Sequence, residues 1–316
     1  MGGGESGGAR PRFDLEVEPG GYAWWYVDAI SDDGAYGLTL IAFIGSVFSP
    51  YYAWSRKKDP FDHVALNVAL YGPTKGRWTM TERPRGSSST ARDVFEIGPS
   101  QLSWSDGVLT IAIDELTSPL PRRVRGAVRV HTEALNEIVF PIDDKGLHLW
   151  RPVAPAARVE ARFDTPALNW TGRGYFDMNY GREPLQSAFE FWDWCRIELD
   201  RGETAVFYNT DLVGDECATL GLIFDADGAA YSIDTGDEHP LPPTRVWRIP
   251  RRGRSHGAPP LVLQTLEDTP FYSRSIIETS VDGSRRRGVH ESFSGRRFRS
   301  PIVKAMLPFR MPRRHH

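Results

Sequence analysis

Short runs of apolar, aromatic and β-branched residues recur along the whole chain, each closed by a Gly-, Pro- or Asp-rich turn, and no long segment holds a helical period. Strands joined by such tight turns must run antiparallel, and a meander of this kind protects its edges best by curling into a barrel or sandwich. Residues 22–30 and 35–48 flank Ser31-Asp32-Asp33-Gly34, a hairpin turn. Residues 63–71 and 77–82 flank the turn at 72–76, residues 101–104 and 108–113 flank Ser105-Asp106-Gly107, and 124–132 supplies a further strand. The second half repeats the style at 189–199 and 205–209, at 220–224 and 230–233, and at 261–267 and 272–281. The expected fold class is therefore all-β, with two antiparallel barrel or sandwich domains. Pro152-Val153-Ala154-Pro155-Ala156-Ala157 reads as the linker between them. The expected division is a Gly-rich disordered arm at 1–12, an N-terminal domain at 13–153, a C-terminal domain at 154–295 and a basic, apolar tail at 296–316. Residues 83–91 read as a mobile loop and 251–260 as a polar loop.

Several function classes lose support. The longest apolar run, 38–48, is about half of what a bilayer-spanning helix needs and reads as a buried strand. Residues 1–12 lack the apolar stretch of a signal peptide. Cys195 and Cys217 match no zinc spacing; one disulfide stays open, but a reducing cytoplasm is the simpler reading. The eight histidines are scattered, and no phosphate loop, His-Glu-x-x-His or Gly-x-Ser-x-Gly is present. No metal or cofactor is expected. What remains is acid chemistry by Asp or Glu among the 10 Trp, 11 Tyr and 16 Phe.

Net charge is −3, yet residues 285–316 hold ten Lys/Arg against one acid, Glu291. A basic tail on an acidic body points to an anionic partner. With Phe298, Ile302, Val303, Met306, Leu307 and Phe309 interleaved, the tail suits an anchor on anionic lipid; a solvated tail is the alternative. No nucleic-acid recognition module accompanies it.

Two aromatic stretches carry candidate chemistry. In Gly174-Tyr175-Phe176-Asp177-Met178-Asn179-Tyr180-Gly181, strand alternation puts Tyr175, Asp177 and Asn179 on one face. If that face lines an apolar cavity, desolvation keeps Asp177 protonated and able to protonate an alkene. The alternative is a turn cap or a pair with Arg173 or Arg182. In Phe191-Trp192-Asp193-Trp194-Cys195, Trp192 and Trp194 share a face, either as core or as π-faces that stabilise a carbocation. Trp104 and Asp106 lie two residues apart, although Asp106-Gly107 also reads as a turn, and Trp150 follows His148 just before the linker.

Laid out in order, Gly20-Gly21-Tyr22-Ala23-Trp24-Trp25-Tyr26-Val27-Asp28-Ala29, Gly45-Ser46-Val47-Phe48-Ser49-Pro50-Tyr51-Tyr52, the stretches at 175–181 and 192–196, and Leu266-Glu267-Asp268-Thr269-Pro270-Phe271-Tyr272 resemble the carotenoid 1,2-hydratases, or hydroxyneurosporene synthases. The resemblance implies cofactor-free addition of water to the C1–C2 double bond of an acyclic carotenoid, on a lipocalin-like pair of β-barrels. It implies Asp177 as the essential acid beside Tyr175, with weight also on Trp104, Asp106 and Trp150; Asp106 is the candidate holder of water. A non-catalytic carrier of hydrophobic ligands and a pericyclase-type enzyme are the rival readings on the same fold.

Overall fold

Antiparallel pairing accounts for nearly all regular structure in the computed structural model, which describes residues 10–73, 76–214 and 216–315. Residues 1–9 of the expected arm lie outside these. The chain divides into two units, the first made of Met1–Phe140, His148–Arg182 and Pro308–His316, the second of Pro141–Leu147 and Glu183–Leu307. Among the described residues no helix is long and apolar enough to cross a membrane.

The first unit carries β1 (Tyr22–Ser31), β2 (Gly37–Ile44), β3 (Val64–Tyr71), β4 (Arg77–Arg83), β5 (Ser88–Ala91), β6 (Val94–Ile97), β7 (Ser100–Ser105), β8 (Val108–Leu116), β9 (Arg123–Thr132), β10 (Phe140–Pro141), β11 (His148–Thr165) and β12 (Leu168–Gly181). They form one twelve-stranded sheet in the order β4-β3-β2-β1-β12-β11-β9-β8-β7-β6-β5, with β10 beside β11. The sheet curls until β4 meets β8: Thr79 Oγ1 donates to the Leu116 carbonyl at 2.8 Å, and Arg83 Nη2 reaches Glu115 Oε2 at 2.9 Å. The result is a nearly closed barrel. Its interior takes Ala23, Trp25, Val27 and Ala29 of β1 together with Phe176 and Met178 of β12. Phe13 packs on Trp25 at 5.3 Å between ring centroids, and Trp25 on Phe95 at 5.4 Å. The alternate residues Tyr22, Trp24, Tyr26 and Asp28 point to the other face and are buried too.

Two expected boundaries move. Residues 152–157 are no linker but part of the eighteen-residue β11. The register of β11 against β12 slips between Arg151 and Ala154 and again between Ala154 and Ala157. A bulge needs no ladder hydrogen bond from every residue, so Pro152 and Pro155 are tolerated there and the strand bends without ending. Residues 83–91 likewise contain the end of β4, a turn and β5.

The last residues are not a loose tail. Glu82 N–H donates to the Pro312 carbonyl at 3.0 Å and Arg314 N–H to the Glu82 carbonyl at 2.9 Å, so the segment adds a bridge along the edge of β4. The Arg313 guanidinium binds the buried Glu82 carboxylate and Asp62 Oδ2 at 3.0 Å, and Arg310 lies over the Trp78 ring at 4.7 Å. His63 Nδ1 is 2.9 Å from the same Glu82 oxygen.

The second unit holds β13 (Phe189–Glu198), β14 (Thr204–Leu212), β15 (Cys217–Phe224), β16 (Ala230–Ser232), β17 (Asp237–Leu241), β18 (Arg251–Ser255), β19 (Leu261–Asp268), β20 (Tyr272–Val281) and β21 (Ser284–Ser294). Seven of these form a sheet ordered β16-β15-β14-β13-β21-β20-β19, and β17 and β18 pair separately. The expected polar loop at 251–260 thus begins as a strand. Leu241 of β17 joins Cys195, Ile197, Phe207 and Ile277 in the core. Beside that core Asp193 is buried. Arg252 Nε donates to its Oδ2 at 3.0 Å and Ser292 Oγ to its Oδ1 at 2.5 Å. Burial pushes the Asp193 carboxyl up to about 7 against the pull of Ser292 and Arg252. Burial also holds His290 down at about 4; neutral, it donates Nε2–H to the Arg252 carbonyl at 2.7 Å.

Two predictions follow from these ion pairs. Arg313→Ala strips a buried carboxylate of its guanidinium and should cost about 3 kcal/mol in chemical denaturation. Arg252→Met should cost a similar amount at pH 8. The folded-state value of Asp193 already exceeds the ordinary carboxylate value of about 3.9, so its ionisation opposes folding increasingly as pH rises through about 7. Without Arg252 that opposition grows, and the deficit should shrink at pH 5; an equal deficit at both pH values would exclude the ion pair as its cause.

Candidate active site

Strand register assembles the site. Across β1 and β12, Tyr26 stands opposite Asp177, Asp28 opposite Tyr175 and Trp24 opposite Asn179. Across β12 and β11, Asn179 stands opposite Trp150 and Gly181 opposite His148. All share the sheet face that points away from the first unit's apolar core, because their alternate neighbours Phe176 and Met178 fill that core.

Asp177 lies mid-strand, 4% exposed, and not in a turn. Its carboxyl accepts several hydrogen bonds. Trp150 Nε1–H and the Tyr175 hydroxyl each reach Oδ2 at 2.9 Å, and the Asn179 amide nitrogen reaches Oδ1 at 3.1 Å. Among the described residues the Asn179 oxygen, which is buried, has no hydrogen-bond partner. The amide can therefore turn over and accept an O–H from a neutral Asp177 at no cost in lost bonds. Burial first, then the neighbouring Asp177 charge, drives the Tyr175 phenol well above its ordinary range, so it remains a donor.

A second buried carboxyl, Asp28, sits one strand away and accepts from the Tyr26 hydroxyl at 2.9 Å. Around the two acids stand aromatic rings. Tyr22 stacks on Trp24 at 4.9 Å, Trp24 meets Phe43 at 6.1 Å, and Tyr26 meets Tyr175 at 6.2 Å. The Tyr22 hydroxyl lies 2.9 Å from His148 Nδ1 across Gly181. A Cβ on Gly181 would come within 2.5 Å of the Tyr22 ring and 2.8 Å of His148 Nδ1, so only glycine leaves room for that pair.

Of the residues expected from sequence, the structure brings together Asp177, Tyr175, Asn179 and Trp150. Trp104 packs in the barrel core, on the side away from Asp177. Asp106 is the left-handed residue (φ 52°) of the β7–β8 turn, exposed, with Ser105 Oγ at 2.8 Å; the turn alternative describes it. It is thus not on the Asp177 face, and Asp28 takes its place as the second carboxyl. Trp192 belongs to the second unit, stacked on Phe293 at 4.3 Å and edge-on to Phe189 at 5.4 Å, so packing describes it. Trp194 is buried on the same strand face. Sequence reasoning missed Tyr22, Trp24, Tyr26 and Asp28, although their i, i+2 spacing signals one strand face. It also passed over His148, whose partner lies 126 positions away.

Comparison with known proteins bears on the family and the fold. Residues 40–316 match the model of the family "Carotenoid hydratase CrtC". The chain is 50% identical over 315 residues to the acyclic carotenoid 1,2-hydratase of Thiocapsa roseopersicina, covering 98% of this chain and 78% of that one. It is 48% identical over 310 residues to the enzyme of that name from Rubrivivax gelatinosus, covering 96% and 76%. Among solved structures it is similar to a putative AttH from Nitrosomonas europaea, with a TM-score of 0.61 at 16% identity over 90% of this chain and 99% of that one. That likeness bears on the fold, which is lipocalin-like.

Proposed function

The chain belongs to the carotenoid hydratase family and is a hydro-lyase acting in carotenoid biosynthesis; from that premise we propose that it adds water across the terminal C1–C2 double bond of an acyclic carotenoid of the neurosporene or lycopene type, with Asp177 as proton donor. The observation that supports this reading is a buried carboxyl with a ring of hydrogen-bonding partners and no turn or capping duty.

In the starting state Asp177 is neutral. Burial disfavours its charge, the nearby Asp28 carboxyl adds like-charge repulsion, and the Asn179 amide can accept its O–H. Proton transfer to C2 leaves positive charge on C1, a tertiary carbon, and a carboxylate on Asp177. The Trp150 N–H and Tyr175 O–H then serve that carboxylate better than they served the neutral acid, so they favour the charge-separated state over the ground state. Indole and phenol faces such as those of Trp24 and Tyr26 attract the cation by about 0.5–2 kcal/mol each without offering a nucleophile. Water held by Asp28 adds to C1, and the proton it loses restores the acid for the next cycle. A substrate so insoluble arrives from the bilayer, which places the working enzyme peripherally at a membrane.

Incubation with lycopene or neurosporene in lipid vesicles should give products heavier by one water. Asp177→Asn should lower turnover by about 10²–10⁴-fold while leaving the melting temperature and carotenoid binding near those of the parent. Asp28→Asn should lower kcat by about 10²-fold with KM little changed. Full activity in the first variant would remove Asp177 as the acid; full activity in the second would remove Asp28 from water handling.

A further inference from the structure

Several basic C-terminal residues are committed to partners within the protein. Arg313 is held by Glu82 and Asp62, Arg310 lies on Trp78, and Arg299 pairs with Glu190. A different surface carries uncommitted charge. In the second unit, Arg245-Val246-Trp247-Arg248 forms a loop that ends just before β18. All four residues are exposed, Val246 at 72% and Trp247 at 37%.

This loop is built rather than slack. Thr244 and Ile249, both fully buried, close its base: Thr244 N–H donates to the Ile249 carbonyl at 3.0 Å and Ile249 N–H to Thr244 Oγ1 at 2.9 Å. The Asp268 carboxylate accepts the N–H groups of Val246 at 2.7 Å and Trp247 at 3.2 Å. The Arg297 guanidinium covers the carbonyls of Trp247 and Arg248, the latter at 2.9 Å. Arg248 takes the left-handed conformation (φ 54°) to make the turn. These bonds pin the backbone, and the loop holds an indole and an isopropyl group in water between two arginines. Among the described residues neither Arg245, Arg248 nor Arg297 pairs with a carboxylate. Arg296 beside them is 82% exposed, with one contact of 3.4 Å to Glu190. Local acids are few: Asp268 is occupied with the loop's own N–H groups, and Glu190 with Arg296 and Arg299.

We propose that this loop is the protein's docking element for an anionic phospholipid bilayer. Trp247 and Val246 enter the interfacial layer, and Arg245, Arg248, Arg296 and Arg297 lie at headgroup phosphates. Tryptophan favours the membrane–water interface, because its ring is apolar and its N–H seeks a polar partner. Arginines flanking an apolar tip match the negative surface of an anionic leaflet. A rigid loop gains from insertion without a further ordering cost. The choice of occupant rests on the proposed carotenoid reading, since a substrate confined to lipid requires such a surface.

The test is sedimentation of the full chain with carotenoid-free vesicles of phosphatidylcholine alone or with added phosphatidylglycerol, at low and high salt. Using no carotenoid keeps the outcome independent of the hydration chemistry. The parent should favour phosphatidylglycerol vesicles and be released by salt. Val246→Ser with Trp247→Ser, and separately Arg245→Glu with Arg248→Glu, should each weaken partitioning by at least tenfold. Both should keep the parent's melting temperature and its turnover of detergent-dispersed carotenoid. Either pair alone suffices if the other fails to fold. Partitioning unchanged in the variants, or equal binding of the parent to neutral and anionic vesicles, overturns the proposal. So does a loss of self-association in sedimentation velocity without a loss of lipid binding, which would assign the loop to a second copy of the chain.

Discussion

The pairing of β1 with β12 is the constraint from which the site follows. Over Tyr22–Ala29 and Gly174–Asn179 both strands are buried on both faces, so each alternate residue is committed to one of two environments. Ala23, Trp25, Val27, Phe176 and Met178 fill the barrel core; Trp24, Tyr26, Asp28, Tyr175, Asp177 and Asn179 form the opposite, polar-aromatic face. A slip of one residue in this register would exchange the two sets and bury both carboxyls among aliphatic side chains. Stability and chemistry therefore select the same register.

The buried acids of the two units behave differently because their partners differ. Asp193 in the second unit is clamped by Arg252 and Ser292, an arrangement that fixes β18 to the sheet. Asp177 in the first unit accepts hydrogen bonds from neutral groups, among them an indole, a phenol and a carboxamide. Neutral donors such as these leave a carboxyl able to exist in either state, as a proton donor must. The aromatic rings around it serve packing and cation stabilisation together, so no separate device is needed for each.

The C-terminal segment shows how charge composition misleads when read without pairing. Its arginines look like a polybasic tail in sequence. In the fold Arg313 neutralises Glu82 at a sheet edge, Arg310 covers an indole, and Arg285 and Arg286 pair with Glu278 and Asp200. Charges left over include Arg245 and Arg248, in an arginine-rich stretch whose later members Arg251, Arg252 and Arg254 bond to groups of the second unit, and Arg296 and Arg297 near them.

The sequence by itself determined the all-β class, most hairpins and the shared face of Tyr175, Asp177 and Asn179, because turn chemistry and a period of two are local properties of a strand. It also held, unread, the i, i+2 row from Tyr22 to Asp28. Tertiary structure alone decided which face of each strand meets the core. That is why Trp104 turned out to be packing and why Asp106 is only a turn residue. It alone placed Trp150 on Asp177 and His148 on Tyr22, since those contacts join positions 27 and 126 apart through a strand bent at two bulges. Periodicity along one strand cannot specify its neighbour; the register between strands is fixed by the summed burial of the whole sheet.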